Sequence, residues 1–316
     1  MRRAALATMT AVVGACAAPM PDQLTPCGGR MALGDDLVVV DCAGLAAFDL
    51  DGTQRWAAGQ RTGGLIVPDD GAELYYGGVF GVDAGVFAAA KATGAARPIA
   101  VFPDDGTRAL EVAVAGDQLY WIESIAASPA TTLRRAPRAG GAVVDVRTST
   151  NGMRSLAADA TAVYWVELGA TVVDVLRLDV ATDQVTELGR LDGLGVMVPG
   201  LAVAGGAVLE VQRPDLTIDA YRVAAGVAPV RVAHDTRGTL AAGGGYLMAG
   251  GIRIDPDGEA DRIVPAWPNE VDWVAIHGAD LYFTDGIALW RRPLEGDASV
   301  GRPTGELGPP LVGVPP

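Results

Sequence analysis

The stretch QLYWIES, residues 118–124, decides the fold because the chain writes it again. It returns as AVYWVEL at 162–168 and as DLYFTDG at 280–286. Anchored on the first apolar residue of the phrase, copies fall at Leu37, Leu74, Leu119, Val163, Val208, Tyr246 and Leu281, with gaps of 37, 45, 44, 45, 38 and 35 residues. Seven such units fill most of the 316-residue chain. A period near forty, built from several short strands, points to propeller blades rather than helical arrays.

Each unit reads as strands. Residues 111–147 run EVAVA, a GDQ turn, LYWIES, TTLRRAPR, an AGG turn and AVVDVRT. These are short runs rich in β-branched and aromatic residues with turn residues between them. The next unit repeats the order as SLAADATAVYWVEL and VDVLRLDVATDQVTEL. The Ala-rich stretch GVFAAAKATGAA, residues 85–96, occupies the place of a third strand and its turn. The run before each anchor is narrow and aliphatic: MAL, LIV, VAV, LAA, LAV, LAA and VAI. Such side chains suit an innermost strand, where blades converge on an axis. Aromatic residues stand one strand further out, at Tyr75, Tyr120, Trp121, Tyr164, Trp165, Tyr282 and Phe283. There the sheets diverge and large rings fill the space between blades. The expected fold is all-β, a seven-bladed β-propeller over residues 31–305, with six or eight blades as the alternative counts. Residues 306–316 carry four prolines and read as a C-terminal tail that cannot pair as a central strand.

The phrases LYWIE, VYWVE and LYFTD, each after a small aliphatic strand, resemble the repeats of YWTD-type β-propellers, and are similar to degenerate versions found in bacterial lipoproteins. That resemblance implies a propeller in which the acid of the phrase is largely structural and ties neighbouring blades. Residues 44–59, GLAAFDLDGTQRWAAG, resemble the repeat of pyrroloquinoline-quinone-type propellers.

The N-terminus gives an address. Arg2 and Arg3 precede an apolar run at 4–15 that is shorter than the roughly 20 residues a membrane span needs. It ends in Val13-Gly14-Ala15-Cys16, which resembles a bacterial lipobox. The expectation is a lipoprotein signal peptide at 1–15, lipid attachment at Cys16, and a tether over 16–30. Ordinary signal cleavage near Ala15 or Ala18 is the alternative. The resemblance further implies an exported outer-membrane lipoprotein, periplasmic or surface-exposed, touching the membrane through its lipid anchor alone. Cys27 and Cys42 remain as an even pair in an exported chain and read as a disulfide. Two free buried thiols are the competing reading.

The formal charge of −14 argues against nucleic acid and against a basic patch docking on anionic lipid. Catalytic motifs are scarce. The chain has no GxSxG and no HExxH, and only two histidines, His234 and His277, both reading as loop residues. Carboxylates recur four residues after the anchor, at Asp41, Glu123, Glu167 and Asp285. They are either structural or members of an acidic face. Residues 255–261, DPDGEAD, place Asp255, Asp257 and Asp261 at a spacing that can wrap Ca2+, or form an Asp-Gly turn with no metal. The residues require no other cofactor.

A regular repeat without a catalytic cluster favours a non-enzymatic scaffold of the cell envelope that binds a protein or glycan partner. Two alternatives stay open. One is a propeller enzyme of quinoprotein or lactonase type. The other is an accessory factor in outer-membrane protein assembly.

Overall fold

The computed structural model of the chain describes residues 30–294 and 312–313, apart from 34–36, 42–44, 50–53, 59–60, 69–70, 81–82, 127, 193–196, 204–205, 214, 216, 235, 237–239, 244, 250–251, 256–259, 263–272 and 285–287. Every regular element among these is a strand, and the strands form seven four-stranded antiparallel sheets. Blade 1 holds β1–β4 (Arg30–Leu33, Leu37–Asp41, Leu45–Asp49, Gln54–Ala57) and blade 2 holds β5–β8 (Arg61–Pro68, Glu73–Phe80, Asp83–Ala90, Ala96–Val101). Blade 3 holds β9–β12 (Thr107–Ala115, Gln118–Ile125, Thr131–Pro137, Val144–Ser149) and blade 4 holds β13–β16 (Gly152–Ala158, Ala162–Leu168, Val172–Asp179, Val185–Asp192). Blade 5 holds β17–β20 (Met197–Val203, Ala207–Gln212, Ile218–Ala224, Val227–Ala233) and blade 6 holds β21–β24 (Leu240–Gly243, Tyr246–Ala249, Ile252–Ile254, Ala260–Arg262). Blade 7 holds β25–β28 (Trp273–His277, Asp280–Thr284, Ala288–Pro293, Val312–Gly313).

The first strand of each sheet touches the first strand of the next, from β1 through β5, β9, β13, β17, β21 and β25 and back to β1. The ring is therefore closed, and the chain is a β-propeller with those small aliphatic runs innermost. The Ala-rich stretch at 85–96 is, as expected, the third strand β7 and its turn. Within the stretch expected as a tail, Val312 and Gly313 pair with Leu289 and Ala288. Proline pairs bracket residues 311–314, and this strand lies on the outer edge, where Pro is tolerated.

The repeating phrase works through the two faces of a pleated strand. Leu119 and Trp121 pack toward blade 2, against Tyr75, Val86 and Ala88. Tyr120 and Ile122 pack toward blade 4, against Met153, Val163 and Trp165. Trp121, Trp165, Tyr75, Tyr120, Tyr282 and Phe283 are among the largest fully buried side chains. Trp56 closes blade 1 against blade 2, its indole N–H donating to the Lys91 carbonyl at 2.6 Å. Gly94 (φ 70°) leaves room for that ring, since a Cβ there would lie 2.6 Å from Trp56 Cε3.

The same face rule corrects two anchors. Ala207, Leu209 and Val211 pack toward blade 4, and Leu247 and Ala249 toward blade 5. Ala207 and Leu247 thus take the anchor place that the sequence assigns to Val208 and Tyr246. In blade 5 the cause is loop length. Val203 pairs with Ala207 across three residues, whereas Ala115 pairs with Gln118 across two. A slip of one residue sends every side chain to the opposite face.

A second column joins the blades. Opposite the second residue of the phrase, the third strands carry Arg135, Arg177, Arg222, Arg253 and Arg291. Several reach the next blade where its third strand ends. Arg135 Nη2 meets Asp183 at 2.8 Å, Arg222 Nη2 donates to the Asp255 carbonyl at 2.8 Å, and Arg253 Nη1 donates to the Leu294 carbonyl at 3.1 Å. Blade 2 uses Arg97 of its outer strand, which donates to the Arg138 carbonyl at 2.9 Å. A charged donor on a carbonyl contributes about 1.5 kcal/mol or more when shielded, and less when half-exposed. Arg222→Ala is expected to lower the urea midpoint by the equivalent of about 1 kcal/mol. An unchanged midpoint would show that the contact holds nothing.

Candidate functional site

Second strands finish, third strands begin and outer strands finish at one end of the propeller, here called the upper end. The acids of the repeating phrase collect there. Glu123 and Glu167 are 6% and 5% exposed. Glu123 accepts from Arg134 Nη1 at 2.8 Å and from the Trp121 indole at 3.4 Å. Glu167 accepts from Arg147, from Ser149 Oγ at 3.0 Å and from the Trp165 indole at 3.3 Å. Each carboxylate is met by an arginine of blade 3: Arg134 of its own blade closes Glu123, and Arg147 crosses from β12 to close Glu167 of blade 4. Asp41 ends β2, and Asp285 lies outside the described residues.

Burial raises the Glu167 carboxyl, but its bonds from Arg147, Ser149 and Trp165 outweigh that and hold it below the ordinary value of 4.5. A depressed folded value gives stability that is present above the unfolded value and is lost as pH falls toward and through the folded one. Below pH 4.5, Glu167→Gln is expected to show a shallower acid-induced loss of stability than the parent chain. Parallel acid limbs in thermal melts would contradict this.

Two of the three candidate calcium ligands fall on described positions. Asp255 pairs with Arg253 Nε at 3.1 Å, Asp261 stands opposite Arg253 on β24, and Asp257 lies outside the described residues. Cys16, Cys27 and Cys42 also lie outside them. Among the described residues, no three His, Cys, Asp or Glu side chains gather as metal ligands would. His277 ends β25 opposite Asp280.

Three upper-end features carry no motif. First, β13 bulges between Arg154 and Ala157, with Ser155 at φ 57°. The bulge turns two backbone N–H groups toward blade 3, and Glu111 accepts both, from Ser155 at 2.7 Å and Leu156 at 2.5 Å. Consecutive N–H groups in such a turn make an anion-binding nest, here filled by a neighbour's side chain.

Second, Glu210 on β18 is 0% exposed, and neither carboxyl oxygen has a hydrogen-bond partner among the described residues. It sits opposite Gly200, where a Cβ would lie 3.5 Å from its Oε2 and 3.5 Å from Leu240 of blade 6. Burial pushes its carboxyl up to about 7, opposed weakly by the Thr236 hydroxyl. That hydroxyl donates to the Ile218 carbonyl at 3.2 Å.

Third, Asp219 at the start of β19 has a fully buried side chain that gathers exposed partners. Arg213 and Arg231 contact its Oδ2, the latter at 3.5 Å, and His234 Nδ1 lies 2.6 Å from Oδ1. These three side chains are 35%, 52% and 61% exposed. Tyr221 accepts from Arg213 and donates to Asp219 at 3.4 Å. Burial opposes the charge on Asp219, but bonds from His234 and Arg213 hold its carboxyl below the ordinary range. His234 is thus a positioned side chain of the upper end, where the sequence shows only a loop residue. Sequence spacing carries no signal for this cluster: Arg213 follows β18, Asp219 and Tyr221 lie on β19, Arg231 lies on β20 and His234 follows it, and strand pairing brings them together.

No protein-family model matches the chain, and no curated protein sequence matches it. Solved structures do. An oligogalacturonate lyase in complex with manganese is 13% identical, with a TM-score of 0.59 over 86% of this chain and 92% of that one. The Dos1 propeller is 10% identical, with a TM-score of 0.56 over 78% and 73%. Prolyl oligopeptidase B from Galerina marginata is 13% identical, with a TM-score of 0.54 over 71% and 39%. At these identities the likeness is one of fold.

Proposed function

We propose that this protein is a non-enzymatic scaffold of the cell envelope, exported, anchored through lipid on Cys16, and presenting the upper end of its propeller to a protein or glycan partner. One observation carries the reading. The repeat's acids Glu123 and Glu167, and Glu111 of β9, are turned inward and matched by arginines or backbone N–H groups. Glu167 and Glu111 are bonded across blades, and Arg213, Arg231 and His234 are exposed at the same end. Two experiments test it. Labelled palmitate is expected to enter the parent chain and not Cys16→Ser. The purified propeller is expected to retain a defined envelope protein or glycan, and retention of nothing alongside turnover of a small molecule would overturn the scaffold.

One observation favours the enzyme alternative. A carboxylate that accepts from His Nδ1 leaves Nε2 as a proton acceptor, and His234 faces solvent beside Arg213. Catalysis there would vanish in His234→Gln.

A further inference from the structure

We propose that Arg213, Arg231 and His234 form a subsite for the carboxylate of an acidic sugar at the upper end of blade 5. This rests on the scaffold reading and names the ligand class for one part of that surface. In blades 3 and 4 the upper-end acids Glu123 and Glu167 are each matched by one arginine of blade 3, Arg134 and Arg147, and Arg134 reaches a second acid, Asp145, at 2.8 Å. Blade 5 departs from that balance. Two guanidiniums and an imidazole meet a single carboxylate that is itself inaccessible. Asp219 cannot reach a ligand, so its effect is to fix the two guanidiniums and the imidazole in place.

The geometry leaves N–H groups pointing away from Asp219. Arg213 engages through Nε and Nη2, and Arg231 through Nη1. His234 engages through Nδ1, leaving its Nε2 edge outward. Guanidiniums present N–H forks that match a carboxylate. Among the described residues, the exposed carboxylate Asp215 accepts from Thr217 N at 3.1 Å and Thr217 Oγ1 at 2.6 Å, which ties it to its own turn. The chain carries −14 overall, so anions are repelled from most of its surface and a donor cluster is a local exception. The donors converge on one point rather than along a stripe. That arrangement suits a ligand unit with one carboxylate and neighbouring hydroxyls, as a uronic-acid ring has, better than the serial charges of an acidic peptide.

The two histidines of the chain make the test direct. Sodium glucuronate is titrated into the full chain while the imidazole signals are followed by NMR. The expected result is a saturable shift of His234 with His277 unmoved, and no shift with glucose. Arg231→Gln, at an exposed position, is expected to weaken binding about tenfold, the loss of one charge-assisted hydrogen bond. Failure of His234 to respond, joint drift of both histidines, or full affinity in Arg231→Gln overturns the subsite. Binding of a poly-glutamate peptide with none of glucuronate overturns the sugar assignment. A retained envelope partner under any of those outcomes leaves the scaffold reading standing, so the two failures are separable.

Discussion

Trp165→Ala is expected to cost about 3–5 kcal/mol, the range for removing a large buried aromatic. Trp165 is wholly buried and packs with Tyr120, Ile122, Met153 and Leu176 where blades 3 and 4 meet. A four-stranded sheet cannot bury both faces alone, so its stability resides in such seams. The truncation also removes the indole donor that Glu167 uses at 3.3 Å. Urea denaturation should show a lower midpoint with an unchanged slope. Trp165→Phe should lose much less, since it keeps most of the volume. A loss below 1 kcal/mol would mean the seam is not packed as described.

Glu210 gives an effect of opposite sign. Its folded value is raised from 4.5 to about 7 by burial, so folding carries no ionisation penalty from it below pH 4.5. The penalty grows as pH rises toward 7 and is constant above, where both states are ionised. At 1.36 kcal/mol per unit this amounts to about 3 kcal/mol. Glu210→Leu is therefore expected to stabilise the chain at pH 8 by up to about 3 kcal/mol. At pH 4.5 the gain should shrink. Thermal melts across that range check it. A variant less stable than the parent at pH 8 would show that the carboxylate is matched in the folded chain.

The fold was legible because a propeller repeats its packing rule. Small residues before each anchor and rings after it reflect narrow space at the axis and wide space between blades, which periodicity alone exposes. Blade 5 marks the limit. Its three-residue hairpin between Val203 and Ala207 shifts the pleat, and local resemblance of VLEV to the phrase hid the slip. The arginine column was also readable, in LRRAP, VLRLD, AYRVA, GIRI and LWRRP, but its meaning depends on which face each residue takes. The blade 5 cluster was not legible. Arg213, Asp219 and His234 are brought together by strand pairing across 21 residues. No spacing rule marks three strands whose ends meet.

The central claim is a closed ring of seven sheets, and a crystal structure of the chain tests it most directly. The account predicts seven four-stranded sheets around one axis, with the strand at 30–33 beside the strand at 273–277. Two stacked sandwiches, or an open ring with those strands apart, would contradict it.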